Sequence, residues 1–259
     1  MRVTVFLEPA HLSGDPLQIP VKHYADWLQG AIYQTMGDPI ARAVHDNGFS
    51  VEKRILRLFA FSHILGRYQY SSGILVFNWP VRVVVSSPVH LIVEQFLQTV
   101  LSDREFRLGP TSCRISRVAV EDARVTSPET VVRTLSPITI HSTFTKPEGG
   151  TYTQYYHPRE IEFGRLIAAN LIRKYHAVHG HSWLGSSALV INPVGRTKFH
   201  LVRYKNTIIK GYAGTFMVKG PMSLIQVGLD AGLGDRNSQG FGLVEVLPAR
   251  SSEVNHDYR

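Results

Sequence analysis

The sequence predicts an α+β protein built from two similar halves. Segments with the two-residue alternation of strands and segments with the 3.6-residue periodicity of helices follow one another along the chain. The order strand, helix, paired strands, helix, strand occurs twice, on either side of a polar segment at 121–134. This order matches the ferredoxin-like unit, an antiparallel sheet backed by two helices. We therefore expect two tandem ferredoxin-like domains.

In the first half, alternation in RVTVFLE predicts a strand at 2–8. Apolar residues at helical spacing predict a helix at 20–36, which Gly37 ends. Asp38 and Pro39 suit the cap and first turn of a second helix that runs to about Asp46. The remaining predicted elements are strands at 54–61 and 74–87, the second interrupted by Pro80, a helix at 88–101 and a strand at 112–120.

The polar residues and Pro128 in EDARVTSPETVVRT favour a connection between the halves. We therefore expect an N-terminal domain at 1–122, a linker at 123–134, a C-terminal domain at 135–249 and a polar tail at 250–259. The second domain is predicted to begin with a strand at 135–143 and a helix at 158–175 whose buried face includes Ile161. After these come strands at 186–193, 197–204 and 207–218, a short helix from Pro221 and a strand at 241–247.

Composition points to a polyanionic partner. The chain has 259 residues, a formal net charge of +8 and a sequence pI of about 9.7. A charge excess spread along the chain favours nucleic acid over a membrane surface. The single cysteine, Cys113, excludes an intrachain disulfide framework and fits the reducing cytoplasm. No stretch is long and apolar enough to predict a membrane span or a signal peptide.

The stretch GLGDRNSQGFG at 232–242 holds four glycines between a predicted helix and a predicted strand. Glycine permits unusual backbone angles and close approach of another backbone. A P-loop needs Lys followed by Ser or Thr after its last glycine, and the dinucleotide fingerprint lies between a strand and a helix. Neither pattern is present. The stretch is predicted to scaffold the fold and to bind RNA, or else to be a tight structural turn.

The chain resembles the CRISPR-associated repeat-processing endoribonucleases, the Cas-six family. The resemblance rests on GLGDRNSQGFGLVEV near the end, on LSPI at 135–138, and on the helix segment WLQGAIYQ followed by a helix with His45. It implies tandem ferredoxin-like domains, a fold related to the RRM, and metal-independent cleavage of one phosphodiester in CRISPR repeat RNA. The residues that resemble the family's catalytic trio are Tyr33, His45 and Lys53.

The chemistry of these three residues suits RNA cleavage by the RNA's own 2′-hydroxyl. An imidazole transfers protons near neutral pH, and an ammonium group stabilises negative charge on phosphate. At 100° per residue, Tyr33 falls opposite the apolar face of its helix, which predicts an outward phenol free for a ligand. His23 is a secondary histidine candidate, and His63 is expected to be a core or sheet residue.

Basic, polar and glycine residues make up the predicted RNA-binding surface. Phosphate contacts and stacking on aromatic rings are the two interactions that such residues offer to RNA. The predicted set is Arg54, Arg196, Lys198, Lys205, Lys210, Gly232, Gly234, Arg236, Asn237, Ser238, Gly240 and Gly242. The resemblance implies CRISPR repeat RNA as the partner. An interference complex and a second copy of the chain are further candidate partners.

Two alternatives stay open at this point. A non-cleaving RNA-binding protein of the same fold would share these features. A metal-dependent nuclease would need ligands, and His176, His179 and His181 have a spacing that can bind metal. No carboxylate or cysteine nearby completes such a site, so a polar connecting loop is the preferred interpretation. We predict no metal and no cofactor.

Overall fold

The computed structural model describes residues 1–10, 14–52 and 54–248, with the side chains of His45 and Asn47 outside this description. The predicted tail at 250–259 lies outside the described residues. The elements of the first domain are, in chain order, β1 (Arg2–Pro9), β2 (Leu17–Pro20), α1 (Val21–Met36), α2 (Asp38–Arg42), a π-helical turn (Ala43–Asn47), β3 (Phe49–Val51), β4 (Arg54–Leu56), β5 (Ala60–Phe61), β6 (Tyr68–Ser71), β7 (Ile74–Phe77), β8 (Val81–Ser86), α3 (His90–Asp103), β9 (Glu105–Leu108) and β10 (Thr111–Glu121).

The main sheet of the first domain has the order β5-β8-β1-β10-β9. Strand β1 is antiparallel to both neighbours, with Val5 opposite Val83 on β8 and Val118 on β10. The alternating apolar residues of β1 and β8 are buried, and α1 and α3 pack against them to form one core. The first strand between the third and fourth, with two helices on one face, is the ferredoxin-like arrangement.

The second domain repeats this connectivity. Its sheet has the order β14-β15-β11-β16, again with the first strand between the third and fourth. Helices α4 and α5 pack on it, and a separate hairpin, β12–β13, is inserted before α4. The elements are β11 (Glu129–Thr134), β12 (His141–Thr145), β13 (Thr151–Tyr155), α4 (Ile161–His179), β14 (Val190–Tyr204), β15 (Thr207–Lys219), α5 (Met222–Ala231), a 3-10 turn (Asn237–Gln239) and β16 (Val244–Val246). The predicted α+β class with two tandem ferredoxin-like domains is confirmed.

The strand that starts the second domain lies earlier than predicted. Residues 129–134, interpreted as part of the linker at 123–134, form β11, the second strand from the sheet's edge. The predicted strand at 135–143 is wrong for 135–140, which precede β12 and pair with β15 at an isolated bridge, between Ile138 and Tyr212. The polar residues of β11 misled the prediction because only alternate residues, Thr130 and Val132, are buried.

Several element boundaries also differ from prediction. Helix α4 continues to His179, so two of the three clustered histidines are helical and only His181 follows the Gly180 cap. Ile161, predicted on the buried face, is 87% exposed because it is the first residue of the helix and lies beyond the core. The predicted interruption of 74–87 at Pro80 is confirmed, since β7 ends before this residue and β8 begins after it.

The two domains share a packed interface. Arg2 of β1 is buried and donates from Nη2 to the carbonyl oxygens of Leu229 at 3.2 Å and Val244 at 2.7 Å. Both acceptors belong to the second domain, so β1 is hydrogen-bonded to α5 and β16. A small apolar cluster also spans the interface, formed by Ala60, Val84, Leu135 and Leu243.

Within the described part of the chain, we find no helix that combines the length and the apolar character needed to cross a membrane.

Candidate functional site

The glycine-rich loop at 232–242 is a buried structure held by close backbone approaches. Gly234 has φ +73°, and a Cβ there would lie 2.3 Å from the carbonyl oxygen of Thr139. Gly242 has φ +72°, and a Cβ there would lie 1.9 Å from the carbonyl oxygen of Leu233. Both the left-handed backbone and the missing side chain are therefore required at these positions.

This loop is also bonded to the LSPI segment and to the first domain. The Ser136 hydroxyl donates to the carbonyl oxygen of Phe61 at 3.0 Å and accepts from the backbone N–H of Leu243 at 3.0 Å. The backbone N–H of Gly242 donates to the carbonyl oxygen of Pro137 at 2.9 Å. The two motifs that the sequence singled out therefore form one structural unit against strand β5.

Lys174 of α4 holds the loop from the opposite side. It is 4% exposed, and its Nζ donates to the carbonyl oxygens of Gly232 at 2.6 Å and Gly234 at 3.1 Å and to Oδ1 of Asn237 at 2.7 Å. Burial lowers the pKa of Lys174 to about 7, while nearby Asp235 opposes the shift. Three acceptors match the three protons of an ammonium group, so the charged form fits this site.

We expect Lys174→Met to lower the free energy of unfolding by about 3 kcal/mol, because it leaves several buried acceptors without a donor. Urea unfolding followed by circular dichroism measures the change. Lys22→Met, at an exposed position in α1, is the matched control and should change stability by less than about 0.5 kcal/mol. Equal stability of Lys174→Met and wild type would contradict this account of the loop.

Tyr33 contacts the same loop from α1. Its ring is half-buried and meets the ring of Phe59 edge-on, with centroids 5.5 Å apart. The side chain of Ser238 lies near its hydroxyl. Burial raises the pKa of the Tyr33 phenol, and the charge of Arg57 and the polar side chain of Ser238 oppose the shift. The phenol is therefore protonated at neutral pH and able to donate a hydrogen bond.

The prediction that Tyr33 points outward with a free phenol is wrong. Gln29 lies one turn earlier on the same face of α1. Its Nε2 donates to the carbonyl oxygen of Ser238 at 2.8 Å, and its Oε1 accepts from the Tyr204 hydroxyl at 2.5 Å. Tyr33 therefore packs at the edge of the first-domain core, and the second domain covers Gln29 beside it, which helical periodicity within one domain does not reveal.

The other two members of the predicted trio cannot be placed in the same way. The backbone of His45 lies in the π-helical turn after α2, while its side chain is outside the description. Lys53 lies outside the described residues; Val51 and Arg54 on either side of it pair across the β3–β4 hairpin. The meeting of the three side chains stays a prediction.

A cleft of about 630 Å³ opens between the domains beside the loop. It is lined by β4, the start of β12, one face of α4 and the glycine-rich loop. Among the described residues that line it, one carboxylate, Asp235, stands against five cationic side chains: Arg54, Arg57, Arg173, Lys174 and Arg236. This excess of positive charge makes the cleft attractive to a polyanion.

The predicted RNA-binding residues divide into three groups. Those that line the cleft are Arg54, Gly234, Arg236, Asn237 and Ser238. Those buried within the loop's own packing are Gly232, Gly240 and Gly242. Those exposed on the β14–β15 ribbon and its turn are Arg196, Lys198, Lys205 and Lys210. RNA contact at any of them stays a prediction.

The histidine cluster forms an aromatic group. Tyr175 contacts the rings of His179 at 4.2 Å, His181 at 5.6 Å and Trp183 at 4.8 Å between centroids. In residues 1–10, 14–52 and 54–248, no group of three or more His, Cys, Asp or Glu side chains is arranged to hold a metal ion.

The sequence analysis overlooked the polar face of α4. Asn170, Arg173 and Lys174 all line the cleft, at the i, i+3 and i+4 spacing that places side chains on one side of a helix. That spacing is visible in the sequence as NLIRK, beside the buried Ile167 and Leu171, and could have identified the face.

Comparison with known proteins agrees with this architecture. Residues 120–246 match the family model described as CRISPR associated protein Cas6, C-terminal. The chain is 26% identical over 236 residues to the CRISPR-associated endoribonuclease Cas6 1 of Methanocaldococcus jannaschii, covering 87% of this chain and 86% of that relative.

Two solved structures share the fold across nearly their whole length. One is described as the characterization of a Cas6-related gene from Pyrococcus furiosus, with a TM-score of 0.82 and 19% identity, covering 95% of this chain and 98% of the other. The second is described as a RAMP protein binding different RNA substrates, with a TM-score of 0.79 and 20% identity, covering 96% and 100%.

The fold and its basic cleft thus place the chain among proteins with tandem ferredoxin-like domains. Within that class, the range 120–246 that matches the family model includes the motifs at 135–138 and 232–242. Residues 120–246 thus match the C-terminal domain of Cas6, and the chain as a whole is similar to Cas6 proteins.

Proposed function

We propose that this protein is an endoribonuclease that cuts CRISPR repeat RNA into mature guide RNA. The match of residues 120–246 to the C-terminal domain of Cas6 supports the proposal, as does the M. jannaschii relative, whose name describes an endoribonuclease. The observation that carries it is local. Tyr33 lies near the side chain of Ser238 and in the field of Arg57, and both of these residues line a cleft with a strong excess of positive charge.

The reaction is attack by a ribose 2′-hydroxyl on the adjacent phosphate. The 2′-oxygen forms a bond to phosphorus as its proton passes to a base, and the bond to the 5′-oxygen breaks as that oxygen receives a proton. The products are a 2′,3′-cyclic phosphate and a 5′-hydroxyl. Side chains that transfer these protons contribute about 10²- to 10⁴-fold, and donors at the developing charge add several kcal/mol.

Three residues have roles in this proposal. His45 transfers the proton, as base or as acid. Lys53 stabilises the charge on the phosphate, and Tyr33 orients the nucleophile through its protonated phenol, whose pKa burial raises further above neutral pH. The glycine-rich loop positions Tyr33 through Ser238. The RNA lies along the interdomain cleft, where cations neutralise its phosphates.

The test is cleavage of CRISPR repeat RNA in excess EDTA. We expect a single cut whose rate is unchanged by the chelator, with a 5′ product ending in a cyclic phosphate and a 3′ product that polynucleotide kinase labels without prior dephosphorylation. A repeat RNA with a 2′-deoxyribose at the cut nucleotide should remain intact, because it lacks the nucleophile.

Two results would contradict the proposal. Cleavage that requires added Mg²⁺ would indicate a metal nuclease, and tight binding without a cut would indicate an RNA-binding protein of the same fold. Assembly with an interference complex and formation of a homodimer stay predictions.

A further inference from the structure

We propose that Arg54 and Arg173 together clamp one RNA backbone phosphate across the cleft. Arg54 belongs to β4 of the first domain and Arg173 to α4 of the second, and both side chains line the cleft. The clamp rests on the proposed function because its ligand is RNA, but it requires binding alone and no cleavage.

Arg173 is a partly buried cation that has no hydrogen-bonded counterion among the described residues. Its side chain is half-buried, and its Nε is buried with no hydrogen-bond partner in the described part of the chain. Burial lowers the pKa of Arg173, and the positive charge of Arg54 lowers it further, although Asp235 and Glu52 oppose the shift. A buried donor without a partner costs free energy, and an anion between the two guanidinium groups would offset that cost.

Asp235, the carboxylate among the described residues of the cleft, interacts with other partners. Oδ1 of Asp235 accepts from Nδ2 of Asn170 at 3.2 Å, and Oδ2 lies 3.0 Å from Nδ1 of His141. The ammonium group of Lys174 is directed at the loop. Arg54 and Arg173 therefore keep charge that no carboxylate in the described lining neutralises by contact.

The chemistry of the two side chains selects phosphate. A guanidinium group binds the oxygens of a phosphate with two parallel hydrogen bonds, and its weak hydration tolerates partial burial. Arg236 supports the same assignment, because its Nε is also buried and without a hydrogen-bond partner among the described residues of this cleft. The cleft is open to solvent, and the loop beside it contacts Tyr33, a proposed catalytic residue. We therefore assign the phosphate to the backbone of an RNA strand.

The experiment measures binding without cleavage. The probes are a fully 2′-O-methyl CRISPR repeat RNA and a 2′-O-methyl oligouridylate of equal length, each followed by fluorescence anisotropy at several KCl concentrations. We expect Arg173→Gln and Arg54→Gln each to weaken binding of both probes about tenfold. Each should also reduce the slope of log K against log salt by about 0.7, the value for one phosphate on a single strand. Relative to wild type, the double variant should lose no more affinity than the single variant that binds less tightly. The reason is that both side chains hold the same phosphate.

Controls separate the clamp from folding and from catalysis. Arg165→Gln changes an arginine on the same helix that is exposed and paired with Glu162, so it should bind as wild type does. Melting temperatures identify any loss of folding, and Arg54→Gln changes an exposed residue, which keeps the test decisive if Arg173→Gln unfolds. A folded variant with wild-type affinity and salt slope, or losses that add in the double variant, would overturn the clamp, whatever the cleavage assay shows.

Discussion

His45→Ala should lower the single-turnover rate of CRISPR repeat RNA cleavage by about 10²- to 10⁴-fold. The reason is the loss of a positioned group that transfers a proton, since an imidazole has an ordinary pKa near 6.5 and no other proposed residue replaces it at neutral pH. Binding of the RNA should change little, because phosphate contacts elsewhere in the cleft remain. The measurement is the rate constant with enzyme in excess over labelled RNA, together with the dissociation constant.

Two other histidines serve as controls for this result. His90→Ala changes an exposed residue at the start of α3 and should cleave at the wild-type rate. His23→Ala tests the rival histidine on α1, whose ring stacks on Trp27 with centroids 5.2 Å apart. A wild-type rate for His45→Ala, or a large loss for His23→Ala alone, would show that the proton-transfer residue has been assigned wrongly.

Gly242→Ala should lower the melting temperature by about 10 °C. The new Cβ would lie 1.9 Å from the carbonyl oxygen of Leu233 and 2.6 Å from Nδ2 of Asn237, while Leu233 is itself bonded to the backbone of residue 242. A left-handed backbone adds about 1–2 kcal/mol for any residue with a Cβ. Together we expect more than about 3 kcal/mol, and each kcal/mol corresponds to roughly 2–4 °C in a chain of this size.

Gly180→Ala isolates the backbone contribution. Gly180 ends α4 with φ +74°, close to the +72° of Gly242, but a Cβ there would meet no atom within 4 Å. Its melting temperature should therefore fall by only a few degrees, as differential scanning calorimetry can measure. Equal losses for the two variants would mean that the close approach inside the loop contributes nothing beyond backbone strain.

The regular elements of both domains follow from local patterns. Val3, Val5 and Leu7 alternate along β1 and are buried, and Tyr24, Leu28 and Ile32 recur on α1 and face the same core. Where the pattern was weak the prediction failed. Strand β11 buries only two of its six residues, so ETVVRT resembles a polar connection unless its partners β15 and β16 are known.

The candidate site was predictable only in part. The glycine-rich ending and the LSPI segment were recognised, but their contact with each other was not, because residues 136 and 243 are 107 positions apart. In the sequence Lys174 is an ordinary helical lysine, and only the structure shows that the loop provides three acceptors for its ammonium group. The proposed role of Arg173 depends on its sharing the cleft with Arg54, which lies on the other domain.

By itself the sequence determined the fold class, the repeated order of elements and the family resemblance, since these depend on periodicity and on short motifs of neighbouring residues. Tertiary structure alone decided which face of α1 is covered, what the glycines contact and which cations share the cleft. The physical reason is that burial, close backbone approach and charge proximity are properties of pairs distant along the chain. Tyr33 illustrates the difference: local periodicity placed it opposite one core, and the second domain then brought Ser238 against its hydroxyl.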